Sequence, residues 1–423
     1  MQDEWLAGFV VYAGRRGSLH IGDRIKEVAF RCGVKVPIKI VKKIVCQLVL
    51  TLLRSVQPLV KVRIGSLYNY GRIGHLAANT ELYLRRRSRS KETEKEWHVF
   101  VTGQPANRQL LTMIKRRVTV IENSFCLRLC DYVQARHPDA EFWIELPLNG
   151  NEYDEFNNIP PQLAFTEDEE SRGQELLARM GILPGTPFVC FHARDKAYLD
   201  AVHGTQSRGQ WAYHDYRDCD ILNYLPAAEY LASLGLFAVR MGYAVERKLP
   251  DGNPRIIDYA TCHRSDFGDI YLSTKCKFFL GSEGGLGCVP WSFNVPVAYA
   301  NGAPPIGAAA WRHTDVFIPK KLWSRERKRF LTFREIMAVG ADRWFWSQQY
   351  TAAGLEVVEN TPEEILALAK EMNERLDDSW VSTEEDEELQ QRYRALIPPG
   401  HRCYGFPSRV GAEFLRKNRE LLE

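Results

Sequence analysis

The chain has no CxxC pair among its ten cysteines, no internal repeat and little net charge, with 56 Lys and Arg against 53 Asp and Glu. Each absence narrows the field. Unpaired cysteines argue against a zinc framework and fit reduced, buried thiols in a cytosolic protein. A net charge of +3 gives no basis for wholesale nucleic-acid binding. The best apolar run near the start, Ile44 to Leu53, is interrupted by Gln47 and Thr51. It covers about half of the roughly 20 residues a spanning helix needs. Asp3 and Glu4 stand where a secretory signal wants positive charge. No Asp-x-Asp pair stands out as a metal-binding motif. Asp218-Cys219-Asp220 has the spacing but belongs to a longer polar loop. These points lead us to expect a cytoplasmic protein with neither a metal nor a resident cofactor.

What is present is a chain long enough for two domains. Its 423 residues are 45% hydrophobic, so a full core is possible. Charge is uneven: residues 1–60 hold ten Lys and Arg but four acids. Residues 24–56 read as a cationic helical stretch, broken at Gly33 to Pro37, with Ile38, Val41, Val45, Leu48, Val49 and Leu52 at helical spacing. Such a stretch either packs on a core or lies on an anionic membrane surface.

From residue 60 the pattern alternates between strand and helix. Strands are expected at 60–65, 97–102, 118–121, 188–192, 237–241, 256–259, 277–280 and 295–300. Helices are expected between them at 75–86, 107–115, 125–136, 167–180, 225–234 and 267–273. This alternation predicts parallel sheets wrapped by helices. Pro147, Gly150, Pro160 and Pro161 mark a break between two α/β halves. After residue 344 helices are expected to dominate, one of them opening at Thr361-Pro362-Glu363-Glu364.

Four segments carry candidate chemistry. Ser282-Glu283-Gly284-Gly285 follows a strand and precedes a presumed helix. Its glycines suit either close approach of a phosphate to backbone amides or tight packing alone. Glu283 is placed to accept from sugar or ribose hydroxyls. Phe188 to Asp195 is a strand ending in His192 and Arg194, and ligands meet the carboxyl ends of parallel strands. Arg194 is the candidate for a diphosphate. The stretch 204–220, with Tyr213, His214 and Arg217, is too charged and aromatic for filler. In the first half, Tyr70-Gly71-Arg72-Ile73-Gly74-His75 links a strand to a helix. Tyr70, Gly71, Arg72 and Gly74 are candidates for contact with an acceptor. His75 is either a general base or a helix-capping histidine. Arg240 and Asp266 are weaker donor candidates, Asp266 also a possible cap.

Taken in order, these segments resemble GT-B glycosyltransferases. Gly71-Arg-Ile-Gly-His75 resembles the glycine loop of fucosyltransferase-like enzymes, and His192-Ala-Arg194 resembles their strand end. Residues 278–302 resemble the donor element of heptosyltransferases. The set RIGHLAANTELYL, YHDYRD, VRMG, DIYLSTKCKFFLGSEGG and ENTPEEIL is similar to a bacterial GT-B family found with surface-polysaccharide genes. The resemblance implies two Rossmann-like domains facing a cleft: acceptor domain 60–165, donor domain 175–345, and C-terminal helices 346–423 crossing back. Residues 1–59 are a basic segment that the resemblance does not explain.

It also implies transfer of a hexosyl or deoxyhexosyl group from a nucleotide sugar to a glycan, lipopolysaccharide or lipid-linked hydroxyl. No metal is needed, and contact with the inner face of an anionic membrane is possible. Arg194 and the Gly284 and Gly285 amides would hold the diphosphate, with Tyr213, Arg217, Arg240, Asp266, Ser282 and Glu283 around the donor. His75 would act as base, with His192 as substitute. His75 departs from the Asn of the fucosyltransferase loop, so GDP, UDP and CMP donors all stay open. Two rivals also stay open: a nucleotide-sugar epimerase and a non-catalytic nucleotide- or sugar-binding protein.

Overall fold

A computed structural model describes residues 38–90, 96–203, 211–307 and 310–423. The expected helix over 24–37 and part of the 204–220 stretch lie outside them. Two parallel sheets dominate. The first has order β1-β2-β3, with β1 at Lys61–Ser66, β2 at Glu96–Thr102 and β3 at Thr119–Glu122. Helices α2 (Ile73–Arg89) and α3 (Arg108–Lys115) cover one face, where Leu76, Phe100, Leu110 and Ile114 pack together. Helices α1 (Ile38–Val56) and α4 (Ser124–Gln134) flank the other, through Cys46, Leu50, Val133 and Phe142. Alternation along β2 sends Phe100 to one side and Val99 and Val101 to the other. Helix α1 therefore belongs to the first unit rather than forming a separate arm.

Helices α5 (Tyr153–Asn158) and α6 (Glu167–Arg179) connect the units. A Thr166–Glu169 capping box starts α6. The second sheet has seven parallel strands in the order β13-β9-β8-β7-β4-β5-β6. They are β4 (Phe188–His192), β5 (Phe237–Arg240), β6 (Ile256–Ile257), β7 (Phe279–Gly281), β8 (Val297–Gly302), β9 (Val316–Pro319) and β13 (Arg409–Val410). Helices α7 (Leu225–Ser233), α8 (Asp266–Lys275) and the short α9 (Cys288–Ser292) lie between them in the chain. The order reverses about β4, where β5 and β7 flank it on opposite sides. This is a topological switch point, where ligands bind in doubly wound sheets.

The structure differs from the sequence reading after residue 300. A small antiparallel sheet, β11-β10-β12, is built from Lys321–Ser324, Arg329–Phe330 and Leu355–Val358. The terminal helices α10 (Pro362–Leu376), α11 (Glu384–Ala395) and α12 (Ala412–Lys417) pack chiefly on the second unit. Ile365, Leu368, Ala369 and Met372 of α10 join the core of the second sheet, and β13 becomes its edge.

The units meet along α2. A Cβ on Gly74 would lie 2.7 Å from the Cα of Gly285 and 3.0 Å from its carbonyl oxygen, so backbone rests on backbone. Three turns along, the fully buried Arg85 pairs with Glu81 at 2.9 Å. Its guanidinium also reaches the carbonyls of Glu155, Ile159 and Ser292 and the side chain of Asn294. One cation thus ties α2, α5 and the segment after α9. Arg85→Ala leaves Glu81 buried without its partner and should cost about 3–5 kcal/mol in urea unfolding. Gly74→Ala should cost about 1–3 kcal/mol through overpacking, because neither clashing atom belongs to a movable side chain.

Candidate functional site

The loop after β1, the ends of β4 and β7, and residues 211–218 converge on one cleft. Tyr198 donates from its hydroxyl to the Gly71 carbonyl at 3.4 Å, and Arg72 lies over the Trp211 ring at 5.6 Å. Both contacts cross between the units. Gly71 is exposed with open space around it, so it can face a ligand. Gly74 cannot, because Gly285 occupies that space. The glycine requirement at Gly74 and Gly285 therefore comes from packing, a reading the sequence had left open for Gly285 but not for Gly74. Tyr70 also turns away from its expected role. Its hydroxyl packs on Gly103, and its carbonyl accepts from Ala106 at 2.8 Å.

The presumed helix after Gly284 is one turn of 3-10 helix, Gly285–Gly287, followed by the five-residue α9. So short a helix has little macrodipole to offer a phosphate. The amides remain. Among the described residues, neither Gly284 nor Gly285 donates its N–H. Gly284 has only ordinary contacts, with His192 and Arg194 nearest among side chains.

Arg194 leaves β4 beside this turn. Its amide donates to Ser282 Oγ at 2.9 Å, and its guanidinium pairs with Asp218 and reaches the His214 carbonyl. Ser282 is buried and braces Arg194 rather than facing a ligand. Burial and the nearby Arg217 lower the Arg194 pKa to about 10. Arg217 and Arg402 each bury an Nε that has no partner among the described residues. Glu283 feels Arg217, Arg402 and Arg194 together, yet burial still pushes its carboxyl above the usual range. Cations from three separate stretches of chain thus act on the carboxyl of Glu283.

The histidines of this cleft are held neutral. Burial, Arg240 and Arg194 push His192 down to about 3. A base whose conjugate acid is this unstable cannot take a proton near neutral pH, so the substitute role expected of His192 fails. His214 falls to about 2 through burial, Arg217, Arg194 and Arg72. Its ring and that of Tyr213 are 3.8 Å apart, and it stacks with Trp211. His75 is lowered too, chiefly by burial, with Arg72 and Arg217 acting in the same direction.

Two further expectations change. Arg240 is buried and pairs with Asp258 at 3.0 Å, so it braces the 247–258 loop. Asp266 accepts from the Arg108 amide at 2.8 Å and pairs with Arg264, while its carbonyl accepts from Asn107. It closes the interface between the units, and Ser265 is the cap of α8. Asp218 and Asp220 are likewise engaged, with Arg194 and with the Leu222 amide.

Sequence reasoning missed Arg402, Trp211 and Lys320. Arg402 sits far along the chain with no motif around it. Lys320 is buried between β9 and β10 and donates to the carbonyls of Tyr216 and Asp218 at 3.1 and 2.6 Å. It staples the charged loop to the sheet.

No family model matches this chain, and no curated protein matches it. Solved structures align with it. One is a glycosyl transferase family 9 protein from Veillonella parvula, 11% identical with a TM-score of 0.45, covering 75% of this chain and 98% of that one. Another is the E. coli ADP-heptose LPS heptosyltransferase II, 13% identical with a TM-score of 0.42, covering 61% and 90%. A third is the iron-containing dodecameric glycosyltransferase TibC from enterotoxigenic E. coli, 13% identical with a TM-score of 0.33, covering 60% and 62%. All three scores lie below 0.5.

Lys320→Met removes the donor from two carbonyls that hold the loop 211–218. The expected result is a loss of about 1–3 kcal/mol in urea unfolding. Limited proteolysis within 211–218 should also be faster than in the wild type.

Proposed function

We propose that this protein is a glycosyltransferase of GT-B type that takes a sugar from a nucleotide-sugar donor in the cleft between its two α/β units. The observation that carries the reading is the convergence of Arg194, Arg217 and Arg402 on the turn Glu283–Gly285 at the switch point of the second sheet. A diphosphate leaving group would meet guanidinium donors and two unpaired amides there. Preorganised donors of this kind stabilise charge as it develops on the leaving group. They can do so without a divalent metal. Arg194 is already paired with Asp218, so Arg217 and Arg402 are the less neutralised cations and carry more of the anion's charge.

Across the cleft His75 is the base. Its lowered pKa keeps it unprotonated at neutral pH, ready to accept a proton from an acceptor hydroxyl. The domain roles follow: residues 60–165 present the acceptor and 175–345 hold the donor. Glu283 and Tyr213 line the donor side, Gly71 and Arg72 the acceptor side.

A surface glycan or lipid-linked acceptor suits the N-terminal helix. Ile44, Leu48 and Leu52 of α1 are 53%, 64% and 65% exposed and recur every four residues, forming one outward apolar stripe. Lys39, Lys42, Lys43 and Arg54 lie on the same helix, which has no acid. An outward apolar stripe on a helix that is cationic as a whole fits the surface of an anionic bilayer. Among the described residues no helix is long and apolar enough to cross a membrane.

Two measurements test this reading. A thermal-shift screen of GDP, UDP, CDP, CMP, ADP, dTDP and their sugars should find one nucleotide series that raises the melting temperature. A ligand at 100 times its Kd stabilises by about 2.7 kcal/mol. The shift should vanish in Arg217→Ala and shrink in Arg194→Ala; a screen with no shift removes the donor reading. In co-sedimentation, the protein should bind phosphatidylglycerol vesicles more than phosphatidylcholine vesicles. Leu48→Glu should abolish that preference, and a variant that keeps the wild-type preference for phosphatidylglycerol would remove the membrane reading.

A further inference from the structure

Asn79 lies one helical turn beyond His75 on α2 and is 1% exposed. Its Nδ2 donates to the Leu146 carbonyl at 2.6 Å. A carbonyl oxygen cannot donate in return, so this bond fixes which way the amide faces. The other end of the amide, Oδ1, then stands 3.1 Å from His75 Nδ1. An amide oxygen only accepts, so the proton of the neutral imidazole must sit on Nδ1. The lone pair is left on Nε2, which has no hydrogen-bond partner among the described residues. The Tyr68 ring meets the imidazole edge to face at 5.1 Å and limits its rotation.

We propose that Asn79 is a positioning residue for His75. It accepts from Nδ1, holds the ring in the tautomer with a bare Nε2, and aims that nitrogen for proton transfer. The proposal rests on the reading of His75 as the base. The step it supports is simple: an acceptor hydroxyl gives its proton to Nε2 as its oxygen bonds to the donor's anomeric carbon. The bond to the diphosphate breaks, and the electron pair leaves with the phosphate.

An amide does this job differently from a carboxylate. A carboxylate on Nδ1 would raise the proton affinity of the ring, whereas a neutral amide orients it with less effect. The charged groups acting on His75 are Arg72 from its own loop and Arg217 from the second unit, and both disfavour the imidazolium. Asn79 therefore sets the direction of the base while the two arginines keep it unprotonated.

The test uses the full chain labelled with [15N]histidine and long-range 1H–15N correlation, with the His75 signals identified by their loss in His75→Gln. In the wild type at pH 7.5, Nδ1 should be protonated and Nε2 bare. In Asn79→Ala the proton should move to Nε2 in a large share of molecules. Asn79→Asp should raise the titration midpoint of His75 by about one pH unit. A wild-type ring protonated on Nε2 overturns the proposal, and the wild-type measurement does not depend on how well a variant folds. An unchanged tautomer in Asn79→Ala overturns it as well.

Catalysis is read separately, as release of nucleoside diphosphate from whichever nucleotide sugar stabilises the protein. The rate should fall at least 100-fold in His75→Gln and about tenfold in Asn79→Ala. A His75→Gln variant as fast as the wild type overturns the base role. If no nucleotide sugar binds, the donor reading fails while the tautomer measurement still decides the role of Asn79.

Discussion

Everything at the cleft depends on how closely helix α2 approaches the turn after β7. Gly74 and Gly285 touch through their backbones, and no side chain fits between them. That contact sets the distance between His75 on one unit and the arginine cluster on the other. Arg85, buried three turns away, keeps the helix in register with the second unit through bonds to Ser292 and Asn294. Asp266 closes the same interface at the start of α3. The cleft is therefore framed by fixed polar contacts.

Electrostatics follow from that frame. Arg194, Arg217 and Arg402 are drawn to one turn, and burial keeps water from screening them. The nearby histidines respond by staying neutral, His192 and His214 most strongly. Asp218 and Glu283 offset part of the charge but not the buried Nε atoms of Arg217 and Arg402. A site with this balance is suited to an anion bearing several oxygens, which would supply the acceptors those donors lack. Lys320, below the loop, contributes by holding 216–218 in place rather than by facing the cleft.

The parallel core was legible because its strands alternate with amphipathic helices of ordinary length and end in glycine or charge. Strands β9, β10, β12 and β13 were not. Val316–Pro319, Leu355–Val358 and Arg409–Val410 are short, and unlike the comparably short β5 and β7 none of them follows a helix with a clear sequence signal. Those around residue 325 also run into a cationic hairpin whose composition hides them. In the candidate site, Arg194 and His75 were flagged by motifs that follow strands, and Arg217 by the charged loop around it. Gly74, Arg240 and Asp266 were flagged for ligand contact and serve packing or ion pairs instead. Glycine and charge near a strand end serve packing between units as readily as ligand contact, and only the three-dimensional neighbour separates the two. Arg402 and Asn79 carried no local signal, since one is brought in by the C-terminal fold and the other looks like any polar helix residue.

The central claim is that an anionic nucleotide ligand occupies the cleft between the Gly284 turn and the loop before α2. Hydrogen–deuterium exchange, with and without saturating nucleoside diphosphates, tests it most directly. The account predicts slower exchange at 282–285, at 211–218 and, across the cleft, at 71–75, with little change on α1 and α4. No protection in these segments, or protection confined to the α1–α4 side of the first unit, would contradict it.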